Sequence, residues 1–389
     1  MRKLIFFFPF ILYAGILSEL KQKEMDIDSL KSVKDSIETK RSWINPVTLK
    51  YSYSKSNTGN ITSKTHLYTI SVNQPIFKSG AIYYSIKYGD LSKNYNLKQI
   101  ELKKRELIKR AYDLVYDYRI SKINEKVLEL KIENARIDVK RKKEAFLSGT
   151  GDSSLLDNAI LNLNNLKLSL EDIKQNELQL KYSFSNLSDL DIKKVKLPDL
   201  ILISKNKYLN EHLELKSQKL YEKIKNSLYK MQVGNQLFTV SLKGSINYQK
   251  IKTDLSVSKE NYYTAGMSVS LPLDVNSKVK IEKAKLDYLK SKYLLKDKKR
   301  EIINEYKKNL AQIFSLKKKL KIYDENIKIY ENLIYSTEES IKAGNATYLD
   351  LEVLENSKKA AVLNKEIIKL QIQKKLLNLY YKLVSFSNR

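Results

Sequence analysis

The chain of 389 residues sets 72 lysines and arginines against 44 aspartates and glutamates, a formal net charge of +28, and contains no cysteine. The missing thiols exclude disulfides, thiol chemistry and a lipidated cysteine. A positive excess of this size raises nucleic-acid binding as a possibility. The basic residues are, however, spread over every predicted helix without a compact basic motif, and so read as solvated helix faces rather than a nucleic-acid site.

Met1-Arg2-Lys3, an apolar stretch from Leu4 to Leu17 and the small residues Ala14, Gly15 and Ser18 predict a signal peptide over residues 1–18. The stretch is too short for a membrane span, and no other long apolar run follows, so any membrane insertion must be by strands. A helix is expected over 19–45 and a β-hairpin over 46–77. In the hairpin Val47, Leu49, Tyr51 and Tyr53 alternate with polar residues, a turn falls at Asn57-Thr58-Gly59-Asn60, and Tyr68, Ile70 and Val72 resume the alternation. Residues 78–190 predict a long-helix hairpin whose first arm, about Ser79 to Ser148, has no proline. At about 1.5 Å per residue such an arm is on the order of 100 Å long.

Within that arm Leu97, Ile100, Leu107, Ala111, Leu114, Tyr118, Leu128, Ile132, Ala135, Val139 and Phe146 keep a heptad register, with polar breaks at Lys104, Ser121 and Glu125. A linker over 191–205 contains Pro198, and a helix over 206–236 leads to a second hairpin over 237–274. There Val240, Leu242, Ile246 and Tyr248, then Tyr263, Ala265, Met267 and Val269, alternate with polar residues. The four strands have the alternation of transmembrane β-barrel strands, with Tyr51, Tyr53, Val240 and Leu242 facing lipid and Ser241 facing inward. Pro75 and Pro272 are expected to end strands. Residues 275–389 predict a second long-helix hairpin, with a seam of Ile302, Tyr306, Asn309, Ile313, Leu316, Leu320, Tyr323, Ile327, Tyr330, Ile334, Thr337 and Ile341, and a return helix to about Phe386.

The order strand, strand, long helix, turn, helix therefore occurs twice, which predicts a tandem duplication. Gly151-Asp152-Ser153-Ser154-Leu155-Leu156-Asp157 and Gly344-Asn345-Ala346-Thr347-Tyr348-Leu349-Asp350 both fit G-x-x-[ST]-x-L-D. In this alignment Gly151 and Gly344 close a helix in the left-handed conformation, Ser154 and Thr347 are N-caps, and Asp157 and Asp350 fall at the third helical position, near the positive end of the helix dipole. Four strands cannot close a barrel alone, so the chain is expected to oligomerise, three copies giving twelve strands.

The duplicated order of elements, the Gln74-Pro75-Ile76-Phe77-Lys78-Ser79-Gly80 run and the two turns resemble the TolC-like outer membrane efflux proteins, from about residue 46 to 386. The resemblance implies a mainly α fold with β: a homotrimer with a twelve-stranded outer membrane barrel, continuous with an α-helical periplasmic barrel. It implies an exit duct for efflux or type I secretion, served by a periplasmic adaptor and an inner membrane pump, embedded in outer membrane lipid and needing no cofactor. Adaptor hairpins would dock around Gly151, Ser154, Leu156, Gly344, Thr347 and Leu349. Asp350, and Asp157 in the other copy, match the family's periplasmic aperture acid, although the family's second acidic position is Val353 in this chain. Threefold symmetry would gather three Asp350 carboxylates into a cation-favouring ring, and the capping role can coexist with it. The family usually has a longer helical region ahead of the first strand, so a reduced collar is expected, with the linker Leu187 to Asn206 as its main remnant.

An enzymatic reading has little support. His66 and His212, expected as surface residues, are not spaced as ligands or as an acid–base pair, and no phosphate loop or nucleophile elbow appears. The alternative to a channel is a periplasmic coiled-coil adaptor or scaffold, which shares the long hairpins but has no need of four amphipathic strands.

Overall fold

The computed structural model describes residues 15–59 and 61–384; most of the predicted signal peptide and the position of Phe386 lie outside the described residues. The chain is mainly helical with one small sheet, in the order α1 (Glu19–Arg41), β1 (Thr48–Thr58), β2 (Ile61–Phe77), α2 (Ala81–Leu147), α3 (Ser153–Ser185), α4 (Lys205–Glu211), α5 (Leu213–Asn235), β3 (Thr239–Thr253), β4 (Val257–Ser270), α6 (Ser277–Lys342) and α7 (Tyr348–Tyr380). The two long helices have 67 and 66 residues and their return helices 33 each, as the proline-free stretches require. Among the described residues no helix is long and apolar enough to cross a membrane. The chain divides into two compact units, one of Glu101–Leu213 with the segments up to Met25 and from Arg300, the other of Asp26–Ile100 and Glu214–Lys299.

The first unit is organised by its helix seams. On α6, Ile302, Tyr306, Asn309 and Ile313 are all buried, and the remaining heptad positions to Ile341 are half-buried. On α2 the seam residues Ala111, Tyr118, Leu128, Ile132 and Ala135 are buried, but so are Ile108, Tyr112, Val115, Tyr116, Val127 and Ile137 on further faces. The reason is that α2 has two neighbours. Lys122 bonds Glu125 of its own helix at 2.6 Å and, towards α3, the buried Glu177 at 2.7 Å, and these carboxylates hold the ammonium charged well above the ordinary lysine range. Towards α7, Asp117 pairs with Lys374 at 2.6 Å, Asn356 donates to Asn134 at 2.9 Å, and Arg141 meets Asp350 at 2.6 Å. Helix α7 in turn pairs with α6 through Lys358–Glu331 at 3.1 Å and Lys365–Asp324, and the segment after α7 does so through Lys382–Glu305 at 3.2 Å. Burying one Ile or Leu contributes about 1.5–3 kcal/mol, whereas a part-exposed ion pair contributes about 0–1 kcal/mol. The apolar seams therefore supply the stability, and the polar pairs fix which residues stand opposite one another.

The segment between α3 and α4 lies across this unit, burying Leu187, Ile192, Val195, Leu200 and Ile203. Three of its carbonyls are satisfied by side chains of α2, α7 and α6: Arg119 donates to Val195 O at 2.5 Å, Tyr380 to Ile201 O at 2.8 Å and Tyr306 to Ile203 O at 2.7 Å. The predicted 206–236 helix is interrupted. His212 is extended and forms a single bridge with Leu383, and Leu213 N donates to Lys382 O at 2.8 Å, so the chain pairs with the segment after α7 between α4 and α5. His212 is consequently fully buried, edge-on to Tyr208 at 4.9 Å between ring centroids, and not on the surface as its polarity suggested.

In the second unit small residues let helices approach closely. Ser36 donates to Gly89 O at 2.9 Å, Gln99 to Ser217 at 2.6 Å, and Tyr229 stacks on Tyr288 at 6.3 Å. The sheet also belongs to this unit and is antiparallel throughout, in the order β1-β2-β3-β4. Pro75 does not end β2: the strand continues to Phe77 across a register shift between Pro75 and Phe77, where the missing proline N–H is tolerated. Pro272 does lie beyond the last residue of β4, Ser270. The passage from β2 to α2 uses two left-handed residues, Ser79 at φ 43° and Gly80 at φ 85°, and Ser79 is secured by donating to Phe238 O at 2.8 Å.

Gly234 on α5 faces the start of α2, where an added Cβ would stand 2.7 Å from Ser79 O and 2.8 Å from Ala81 N. Gly234→Val should therefore lower stability by about 1–3 kcal/mol, read as an earlier thermal transition of helical circular dichroism. Gly266→Ala, whose Cβ would meet nothing within 4 Å, should leave the transition in place.

Candidate functional site: an amphipathic sheet and two helical turns

The sheet register brings the apolar residues of all four strands onto one face. Successive rows are Phe77–Val240–Val269, Gln74–Leu242–Met267, Val72–Gly244–Ala265, Leu49–Ile70–Ile246–Tyr263 and Tyr51–Tyr68–Tyr248–Asn261. Much of this face is open: Leu49 is 76 % exposed, Met267 68 % and Tyr263 82 %. Aromatic rings bound it at both ends, with Phe77 against Phe238 at 5.4 Å and Tyr68 between Tyr51 at 4.8 Å and Tyr248 at 5.9 Å. Beyond the tyrosines His66 is half-buried and its Nδ1 bonds the Tyr51 hydroxyl at 2.9 Å.

The opposite face is polar. Thr69 donates to Asn247 at 2.8 Å, Asn247 to Ser245 at 2.9 Å, and Ser245 meets Thr264 at 2.8 Å, with Leu67, Tyr262 and Ile251 as the interruptions. Tyr51, Tyr53, Val240 and Leu242 share the apolar side as the alternation predicted, and Ser241 lies opposite, already buried within the chain.

The two turns lie in the first unit, α2–α3 and α6–α7, and have the same capping geometry in a different register from the one the motif suggested. After α6, Gly344 is left-handed at φ 77° and Asn345 N donates back to Ser340 O at 2.8 Å. After α2 it is Gly149, at φ 74°, that is left-handed, and Thr150 N donates to Ala145 O at 3.0 Å. Gly151 is not left-handed; an added Cβ there would lie 3.0 Å from the backbone of Ala145, so glycine is required by close approach. The N-caps are Thr347 and Asp152. Ser154 is therefore not a cap but the donor to one, its N–H reaching Asp152 at 2.9 Å. Gly149 thus stands where Gly344 stands and Asp152 where Thr347 stands, two residues out of step with G-x-x-[ST]-x-L-D. The pattern Gly149-x-Gly151-Asp152 beside Gly344-x-Ala346-Thr347 was the signal available for this register.

The shift separates the two aspartates. Asp350 closes a capping box as expected: one carboxylate oxygen accepts from Thr347 N at 2.9 Å and from the Thr347 hydroxyl at 2.7 Å, while the other accepts from Arg141 at 2.6 Å. Asp157 lies beyond the first turn of α3, is exposed, and holds no capping position. Leu156 is half-buried and Leu349 likewise, while Ser154 and Thr347 are exposed.

Comparison with known proteins gives consistent results. The Outer membrane efflux protein family matches residues 206–383. Among solved structures, the outer membrane channel CmeC of Campylobacter jejuni has a TM-score of 0.76 at 15 % identity, covering 94 % of this chain and 83 % of its own. The outer membrane protein VceC of Vibrio cholerae has 0.74 at 11 %, covering 93 % of both chains, and the open-state outer membrane channel MtrE of Neisseria gonorrhoeae 0.67 at 12 %, covering 93 % and 85 %. The comparison with curated proteins gives no sequence match. Residues 206–383 thus match the outer membrane efflux protein family, and the described chain has the fold of the outer membrane proteins CmeC and VceC. That family locates the protein at the outer membrane.

The hydrogen bonds to Thr347, reinforced by Arg141, hold the Asp350 carboxyl below the usual aspartate range, and the Ser154 N–H does the same for Asp152. Because both values are depressed on folding, the stability they confer is fully present above the ordinary range and is lost as pH falls through the lowered values. Amide exchange at residues 347–351, corrected for intrinsic rates, should accelerate below about pH 4. Asp350→Asn should show the faster rate already at neutral pH and lose the acid dependence.

Proposed function

We propose that this protein is the exit duct of a tripartite efflux or type I secretion system. In this reading three copies close a twelve-stranded barrel in the outer membrane, and their long helices form an α-helical barrel in the periplasm. The observation that carries the proposal is the open four-stranded sheet with one continuous apolar face and two edge strands, β1 and β4, exposed along their length. In hydrocarbon every backbone N–H and C=O must be paired, so such a sheet is stable only when its edges meet those of other copies. Nine residues separate Tyr68 from Phe77, about 30 Å along a strand; at a tilt of roughly 40° this matches the aromatic-bounded band of about 25 Å in outer membrane barrels. The near-equal lengths of α2 and α6, and of α3 and α7, support a duplicated unit that contributes two hairpins per copy.

An adaptor or scaffold would share the coiled-coil seams but would leave this face without a role. The side chain of Met267 is on the apolar face and Gly266 on the polar one at the same depth. Met267→Arg should therefore impair trimer assembly and insertion by about 2–4 kcal/mol near the midplane, while Gly266→Arg should assemble and change conductance. Equal tolerance, or a soluble monomeric wild type, would remove the channel reading.

We assign adaptor docking to the two turns, around Gly151, Ser154, Leu156, Gly344, Thr347 and Leu349, where a partner's helical hairpin would meet the helix ends. Gly344 supports this assignment, since an added Cβ would meet nothing within 4 Å and a side chain would project outward. Gly344→Leu should abolish transport while the trimer still reaches the outer membrane, and Gly344→Asn, which tolerates the left-handed conformation, should keep the turn and lose only part of the transport. Of the aperture acids, Asp157 has its charge available, whereas Asp350 is committed to Thr347 and Arg141. Unchanged efflux in Gly344→Leu would count against docking at this turn.

A further inference from the structure

Beyond the Tyr51–Tyr68–Tyr248 row the apolar face gathers five lysines within two rows. The register continues as Tyr53–His66–Lys250–Lys259 and then Lys55–Lys64–Lys252–Val257, so that Lys55 faces Lys64, Lys64 faces Lys252 and Lys250 faces Lys259 directly across strands. Four of these lysines are exposed and Lys250 is half-buried. None of the five forms an ion pair among the described residues. The two acidic residues of the strands and their turns lie elsewhere: Asp254 accepts from Thr62 N at 3.0 Å in the turn, and Glu260 is on the opposite face.

Like charges directly opposite each other destabilise a sheet, so this arrangement needs an anion to offset it. Edge protection does not account for it, because Lys64, Lys250 and Lys252 are on the central strands β2 and β3. Nor does a generally solvated tip, since at the same level the opposite face carries Ser54, Thr65, Ile251 and Ser258, then Ser56, Ser63 and Thr253, without one lysine.

We infer that this lysine cluster binds the phosphate-bearing headgroups of anionic lipids in the leaflet around the outer end of the barrel. The inference rests on the barrel reading. The two lysine-bearing rows stand about 7 and 14 Å along the strands beyond the Tyr51–Tyr68–Tyr248 row, the depth at which a headgroup layer lies over the hydrocarbon. Closely spaced ammonium groups over an apolar band are complementary to a phosphate on an acyl chain.

The test uses the full chain reconstituted into mixed phosphatidylglycerol and phosphatidylcholine vesicles, extracted in mild detergent, with the retained lipids counted by mass spectrometry. Wild type should retain phosphatidylglycerol at least about ten-fold over its bulk ratio, undiminished by excess inorganic phosphate. Joint Lys55→Gln, Lys64→Gln, Lys250→Gln, Lys252→Gln and Lys259→Gln should return retention to the bulk ratio with the strands still protease-protected. Lys50→Gln with Lys243→Gln, on the opposite face, should retain the enrichment. Should the fivefold variant fail to insert, Lys64→Gln with Lys252→Gln must still lower it. A wild type that inserts but retains lipid in the bulk ratio, an inserted variant that keeps the enrichment, or displacement by inorganic phosphate overturns the lipid site alone. A wild type that inserts into no vesicle overturns the barrel and this site with it.

Discussion

The antiparallel pairing of α2 with α7 is the constraint on which the first unit depends. It is fixed by unlike interactions: Lys374 on Asp117, Asn356 on Asn134 and Arg141 on Asp350 along the helices, and the Arg105 guanidinium on the carbonyl of Leu383 just after α7. Shifting one helix by a turn would separate all four pairs and leave the largely buried Arg105 without its carbonyl partner, a cost larger than that of any exposed ion pair. With this register set, α3 and α6 flank the pair, the α3–α4 segment finds its carbonyl partners on α2, α6 and α7, and the α6–α7 turn is tied to α2 through Asp350. A long heptad seam alone would permit sliding, because one Leu or Ile is replaced by another every seven residues.

In the second unit the equivalent constraint is the sheet register. A slip of one residue between β2 and β3 would send Ile246 and Tyr248 to the face of Ser71 and Thr69 and destroy both the apolar face and the lysine rows together. The Asn247 bonds to Thr69 and Ser245, on the polar face, oppose that slip. The apolar band, the aromatic boundaries and the cationic end are thus one pattern read along the strands. In the proposed barrel the three would follow the hydrocarbon, interface and headgroup layers of the bilayer in turn.

The helical turns illustrate how local sequence similarity can mislead. The residues matched in the motif are real repeats of letters, but the caps are chosen by which glycine can be left-handed at the helix end and which side chain can reach the new N–H groups. Gly149 and Asp152 satisfy both conditions, and Gly151 is then held close to Ala145, where a side chain has no room. The aspartates at 157 and 350 consequently have different surroundings, one exposed and the other shared between a cap and an arginine.

Periodicity determined most of the architecture from sequence alone. The 3.5-residue spacing and absence of proline announced α2 and α6 to within a few residues, strand alternation announced both faces of the sheet, and Thr347 with Asp350 announced its own capping box, because each depends only on neighbours in the chain. What tertiary structure decided depends on partners distant in sequence. The further buried faces of α2 arise because it lies between two helices; His212 is buried because the chain pairs with Leu383 there; β2 passes through Pro75 because β3 can accommodate a register shift. The lysine cluster belongs to the same category: Lys55, Lys64, Lys250, Lys252 and Lys259 come from four separate strands, and only pairing brings their charges together on one face.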